Sequence, residues 1–251
     1  MIGEVPARIV EAMGRLGLQL RQTLWEMTPR DHRQSAREFH RRQVVSVVVV
    51  LIGAVVLGMS LRITPGNNWF YAATGLLAAV WAVGAFASGP LHLGRIGRPL
   101  KPDSAAPRPV VQPILVGVAL AVVFILGGLV VHQIPWLDDQ VKNVLRHAQQ
   151  GNGGLLLLVT VVNGIAEELF FRGAMYAAIR KHQVALTTIA YTVATLATGN
   201  VMLGFAAIVL GAIVGLQRRA TGGILAPILT HLVWSTTMLY ALPAIFLGSP
   251  T

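Results

Sequence analysis

Residues 44–61 read VVSVVVVLIGAVVLGMSL, eighteen positions that carry two serines and no charge. An uncharged apolar run of that length is long enough to cross the hydrocarbon core of a bilayer as a helix, and too long for a strand of a soluble core. Working outward, six more apolar stretches follow at 69–87, 110–131, 154–171, 184–198, 201–217 and 222–243. The fifth is short and must be tilted or covered by its neighbours. Breakers separate the runs: Thr64-Pro65-Gly66-Asn67-Asn68, the Pro-rich 99–113, and Gly199-Asn200. The expected fold is an all-α polytopic transmembrane bundle of about seven spans.

Composition agrees. Hydrophobic residues make up 54% of the 251 positions and charged residues 12%, and the mean hydropathy is +0.64. Soluble domains carry roughly twice that share of charge. The formal charge of +10 does not point to nucleic acid, because the basic residues lie between the apolar runs and form no single patch. With no cysteine, disulfides, thiolate catalysis and Cys-based metal sites are excluded.

The expected organisation is a cytoplasmic basic and amphipathic segment at 1–43, three transmembrane helices over 44–131, an extracytoplasmic loop at 132–153, and a membrane core over 154–243. The first 43 residues lack the apolar core of a secretion signal, so the membrane address is expected in the spans themselves. Within that segment Ile9, Met13, Leu16, Leu20, Leu24 and Met27 form one helical stripe, the pattern of an interfacial helix lying on lipid headgroups. A contact with a protein partner is its alternative role. Pro29 is expected to end it. The loop at 132–153 holds Trp136, Asp138 and Asp139 and has room for a short amphipathic helix.

With the N terminus inside, the inner segments hold sixteen Arg and Lys and the outer ones three, Arg62, Lys142 and Arg146. The positive-inside rule then orients the chain with its N terminus cytoplasmic and its C terminus extracytoplasmic. Arg-rich, Lys-poor usage suggests a bacterial plasma membrane.

Ionisable residues within the spans are expected at Glu167, Glu168 and Arg172, in the run Asn163-Gly164-Ile165-Ala166-Glu167-Glu168-Leu169-Phe170-Phe171-Arg172-Gly173. Such groups are costly in lipid and are by default paired or functional. Glu168 and Arg172 are i, i+4 and can pair; Glu167 points about 100° away on a regular helix. A structural lock would need a single glutamate, so the second one is available for acid–base chemistry on water. His231 falls at a similar depth in the last span, which argues for a shared site. Tyr191, Thr195 and Thr198 line one face of the fifth span, where hydroxyls ordinarily bridge neighbouring helices.

The run Glu167-Glu168-x-x-x-Arg172-Gly173, followed by Gly223-Ile224-Leu225-Ala226-Pro227-Ile228-Leu229-Thr230-His231, resembles the CPBP family of CAAX prenyl endopeptidases and bacteriocin-processing enzymes. The likeness covers about 150–240. It implies an intramembrane endopeptidase in which glutamate-activated water attacks a peptide carbonyl. Glu167 and Glu168 would activate the water, Arg172 would orient them, and His231 would serve the oxyanion or a metal. Two positions depart from the family pattern: Thr195 stands where a histidine is expected, and Ser235 where an Asn or Asp is expected.

Neither hydroxyl is a good zinc ligand, so a divalent metal such as zinc is poorly supported by the donors present. The expected partners are membrane lipid and a membrane-embedded peptide or protein substrate, with no nucleic acid. The alternative function is a catalytically impaired pseudoprotease acting as a scaffold or partner subunit. A transporter is disfavoured by the lack of an internal repeat and of acidic residues in the other spans.

Overall fold

The computed structural model describes residues 34–95, 107–150 and 152–248, with Gly17 and Leu24. Apart from those two residues, the stripe expected over 4–27 lies outside the described residues. The described chain is all helical. α1 spans Ala36–Ser60, α2 Trp69–Ser88, α3 Val111–Val131 and α4 Pro135–Gln149. α5 spans Gly153–Glu167 and runs on without a break as a π-helix over Glu168–Met175. α6 is Gln183–Leu196, α7 Val201–Thr221 and α8 Leu225–Phe246. Six of these, the α5–π helix counted once, are long and apolar enough to cross a membrane, and α6 is a shorter apolar helix. The protein is therefore an all-α polytopic membrane bundle of about seven spans.

Local chemistry sets the helix ends. Ser35 and Glu38 form a reciprocal capping box, with Glu38 N donating to Ser35 Oγ at 3.3 Å and Ser35 N to Glu38 Oε2 at 2.7 Å. That box starts α1 eight residues ahead of the apolar run, so the helix includes the arginines expected to precede it. Asn152 Oδ1 accepts from Leu155 N at 3.1 Å to open α5, and Asn200 Oδ1 accepts from Met202 N and Leu203 N to open α7. Gly222, at φ 66°, ends α7 in the left-handed conformation that a glycine adopts without penalty.

The π-bearing helix sits centrally, with its π segment packed on α1, α2, α6, α7 and α8. Around it Trp81 of α2 stacks on Phe170 and packs at a tilt against Phe171, each ring centroid 5.0 Å away. Outward-facing Val47, Val83, Val123 and Ile208 are each more than half exposed, a lipid-facing shell rather than a solvent surface. α6 is packed on two sides by α7 and α1, and Ile189 and Val193 on its remaining face are exposed.

The loops segregate to two ends, as the alternation of spans requires. At one end a strap over 89–95 crosses the α7–α8 turn. Arg95 N donates to Thr221 O, Ile224 N to His92 O and Leu225 N to Leu93 O, at 2.9 to 3.0 Å. α8 has no side-chain N-cap, and these strap carbonyls satisfy two of the amide groups at its start. Gly94 and Gly223 meet so closely that a Cβ on Gly223 would lie 2.0 Å from Gly94 N. At the other end, the turn after α1, the amphipathic α4 and the α6–α7 turn lie together.

Candidate functional site in the membrane core

Two of the site's side chains stand at the junction where the α5 helix turns π, and the change of pitch has a direct effect. Tyr176 N donates to Phe171 O and Gly173 O, so the Arg172 carbonyl is left without its usual intrahelical partner. Arg218 of α7 takes that place, donating from Nε to Arg172 O at 2.7 Å. Arg218 also lies over the Tyr176 ring, 4.8 Å from its centroid. π segments of this kind recur at functional sites because they trade helix regularity for such free carbonyls.

The side chain of Arg172 binds in two directions. Nη1 donates to Glu168 Oε1 at 3.0 Å, and Nη2 donates to Gly211 O on α7 at 3.1 Å. Glycine at 211 matters here, because a Cβ there would sit 3.2 Å from Nη2 and 3.1 Å from a Thr188 methyl. His231 on α8 completes the cluster: its Nδ1 lies 2.8 Å from the same Glu168 oxygen. An oxygen that already accepts from a guanidinium acts as a carboxylate acceptor, which assigns the proton to Nδ1 and leaves Nε2 on the far edge of the ring. Glu168 and Arg172 are wholly buried and His231 is 5% exposed. The ion pair gains strength from low dielectric but needs every partner to offset the loss of solvation.

Glu167 is placed differently. It is half-buried, and its Oε2 accepts from Tyr191 OH on α6 at 2.7 Å. The Tyr191 ring lies under Arg172, 4.9 Å from its guanidinium carbon. One aromatic side chain therefore contacts both members of the Glu167–Arg172 set. Asn163, one turn earlier, donates to Val159 O at 2.9 Å and Thr74 O at 3.1 Å, which turns its amide toward α2. Asn163 Oδ1, Glu168 Oε2, Arg172 Nε and Trp234 Nε1 are among the buried polar atoms without hydrogen-bond partners, each of which carries a desolvation cost.

All four residues singled out in the sequence, Glu167, Glu168, Arg172 and His231, come together. Tyr191 bridges neighbouring helices as its position in the span leads one to expect, and the group it bridges to is the Glu167 carboxylate. Arg218 and Arg42, expected beyond the apolar runs, lie on the same continuous helices as those runs and are 3% and 2% exposed. Their basic character concealed that each packs against backbone; Arg42 Nη2 reaches Pro90 O at 3.4 Å. Thr195 and Ser235 do not join the cluster through their hydroxyls. Thr195 Oγ1 donates to Tyr191 O at 2.8 Å and Ser235 Oγ to Leu232 O at 3.4 Å, each within its own helix. His132 is held at the far end of α3 by Asp138, 2.7 Å away.

The donors present do not fit a metal. Among the described residues no group of three or more His, Asp or Glu side chains is arranged to hold one, and Glu168 Oε1 is already committed to Arg172 and His231. The chemistry available is that of two carboxylates, one fixed by Arg172 and His231 and one held on a single oxygen by Tyr191, with an imidazole beside them.

Fold and site together define a multi-pass membrane protein with a buried Glu-Arg-His cluster at the centre of its bundle. Residues 150–237 match the family described as type II CAAX prenyl endopeptidase Rce1-like, in line with the CPBP resemblance. The match runs from the end of α4 into α8 and contains every member of the cluster. Neither the curated proteins nor the solved structures contain a match to this chain.

Proposed function

We propose that the protein is an intramembrane endopeptidase of the CAAX prenyl protease type that hydrolyses a peptide bond with glutamate-activated water. The observation that carries the reading is the division of labour between the adjacent carboxylates. Glu168 is locked by Arg172 and His231, whereas Glu167 is half-buried and bound on one oxygen by Tyr191. Glu167 is then the general base. Its carboxylate takes a proton from water as the hydroxide oxygen bonds to the peptide carbonyl carbon, and it returns that proton to the departing amine. Tyr191 orients it. Glu168 and Arg172 fix the ring of His231, and when that ring carries both protons its Nε2–H donates to the oxygen that becomes negative. The substrate is a membrane-embedded peptide segment, and the likeness to prenyl endopeptidases makes a prenylated C-terminal peptide the first one to try. The basic loops orient the chain N-in and C-out in a bacterial plasma membrane.

The test compares new peptide termini in membranes containing the parent protein, Glu167→Gln, Glu168→Gln or His231→Ala, alongside a farnesylated reporter peptide. Termini that appear with the parent and vanish with Glu167→Gln support the reading. Equal processing by the Glu168→Gln and His231→Ala variants would sink it.

A second reading is a pseudoprotease that binds rather than cuts membrane segments. It is favoured by one observation: the hydroxyls of Thr195 and Ser235, at positions where the family carries His and Asn or Asp, turn back onto their own helices. A partner that co-purifies equally with the parent and Glu167→Gln proteins, with no new termini, would favour it.

A further inference from the structure

The π turn of the central helix rests on a competition for one carbonyl. In a regular α-helix the amide of Tyr176 would donate to the carbonyl four residues back, that of Arg172. Here it donates to Phe171 O and Gly173 O and passes Arg172 over. Arg172 O is held instead by Arg218 Nε at 2.7 Å. Tyr176 N–H and Arg218 Nε are therefore rivals for the same acceptor. The Arg218 guanidinium carbon also lies 4.8 Å from the centroid of the Tyr176 ring, a cation–π contact with the residue whose amide it displaces.

A free carbonyl in a membrane helix is satisfied by any small donor, a threonine hydroxyl among them. An arginine that is 3% exposed is a costly choice, because a buried cation loses far more hydration than a hydroxyl does. Its place on α7 accounts for the choice. Gly211 lies seven residues earlier on α7, about two turns away on the same face. Its carbonyl accepts from Arg172 Nη2 at 3.1 Å. One helix thus grips Arg172 at both ends, by its backbone and by the tip of its side chain.

We infer that Arg218 is a positioning residue for the reaction: by holding Arg172 O it keeps the π register that aims the Arg172 guanidinium at Glu168. From Arg172 Nη1 the geometry passes to Glu168 Oε1 at 3.0 Å, and from that oxygen to His231 Nδ1 at 2.8 Å. Without the Arg218 donor, Tyr176 N–H takes back the Arg172 carbonyl, the turn tightens, and the guanidinium swings off Glu168. The effect on rate rests on the peptidase reading; the effect on the helix does not.

Two substitutions separate the hydrogen bond from the bulk of the side chain. Gln places an amide N–H as many bonds from the backbone as Arg218 Nε, and Met places a methyl there. Full-length parent, Arg218→Gln and Arg218→Met proteins are compared in nanodiscs. The first readout needs no activity: the backbone amide NMR signal of Tyr176 in tyrosine-labelled protein, assigned with Tyr176→Phe among the four tyrosines of the chain. It is expected to move in Arg218→Met and to stay in Arg218→Gln, with Tyr71 and Tyr240 unmoved in both. The second readout is hydrolysis of the farnesylated reporter peptide. In Arg218→Met kcat is expected to fall roughly tenfold to a hundredfold, with KM within about twofold of the parent. In Arg218→Gln kcat is expected to stay within about threefold of the parent.

An unmoved Tyr176 signal in Arg218→Met, equal losses of kcat in the two variants, or a change confined to KM would overturn the inference. If the parent does not hydrolyse the reporter, the peptidase reading fails on its own, and the Tyr176 signal still decides the register. Should Arg218→Met not fold, Arg218→Gln decides: parent-like kcat with an unmoved signal upholds the donor's role, and a loss of about tenfold or a moved signal overturns it.

Discussion

At the scale of the residue, the molecule turns on one carboxylate oxygen. Glu168 Oε1 accepts from Arg172 and lies against His231 Nδ1, so three side chains from two helices depend on one another. Removing the cation from such a pair strands a buried charge, and Arg172→Met should cost about 3–5 kcal/mol of stability, read as a lowered thermal midpoint in detergent. The Glu168→Gln/Arg172→Met protein should lose at least about 1 kcal/mol less than the sum of the single changes, because the second substitution removes what the first left unpaired. Tyr191→Phe is the sharper test of mechanism. It keeps the ring beneath Arg172 but deletes a hydrogen bond to a carboxylate, worth about 1.5–3 kcal/mol. Peptide hydrolysis should fall by roughly tenfold to a hundredfold, in kcat rather than KM, with a thermal midpoint lowered by several degrees. Glu167, Glu168, Arg172 and His231 were legible in the sequence because charge is scarce in lipid-spanning runs, so each such residue stands out. Tyr191 was not, since a tyrosine in a membrane helix has many ordinary uses and nothing in its spacing reveals which carboxylate lies across the gap.

At the scale of the element, the spans were legible and their irregularities were not. Hydropathy locates a run such as 201–217 but cannot see that the helix continues to Thr221, since Arg218 and Arg219 read as a loop. The π segment over Glu168–Met175 left no mark in the residue pattern either; its Arg172 carbonyl is satisfied by Arg218, a residue 46 positions away. The strap is similar. Its glycines mark breaks, but pairing with the α7–α8 turn is a through-space fact. Gly223→Ala is expected to push the strap from that turn, because both nearest neighbours are backbone atoms, Gly94 N at 2.0 Å and Leu93 C at 2.1 Å. A cost of about 2–3 kcal/mol is expected for such overpacking, measured as a lower midpoint. The same change should raise protease cleavage near Leu93, read by mass spectrometry of the fragments.

At the scale of the whole molecule, the bundle is two kinds of sequence joined. The segment that matches the prenyl endopeptidases, 150–237, holds the complete cluster, while α1 and α2 supply the wall that includes Trp81. α6 stands out in that assembly. Its 14 residues rise about 21 Å at 1.5 Å each, against a hydrocarbon core of about 30 Å. Yet α6 carries Tyr191, the residue that holds Glu167. The surrounding lipid must therefore thin beside α6, or the helix must be drawn out of register with its neighbours, at a fraction of a kcal/mol per ångström. Acyl-chain length then becomes an effector of the site. Hydrolysis and thermal midpoint should both be highest in bilayers of short chains, such as fourteen carbons, and fall together as the chains lengthen to twenty-two, with the loss largest for Tyr191-dependent activity. Rates independent of chain length across reconstituted vesicles would show that the bilayer does not act on the site through α6.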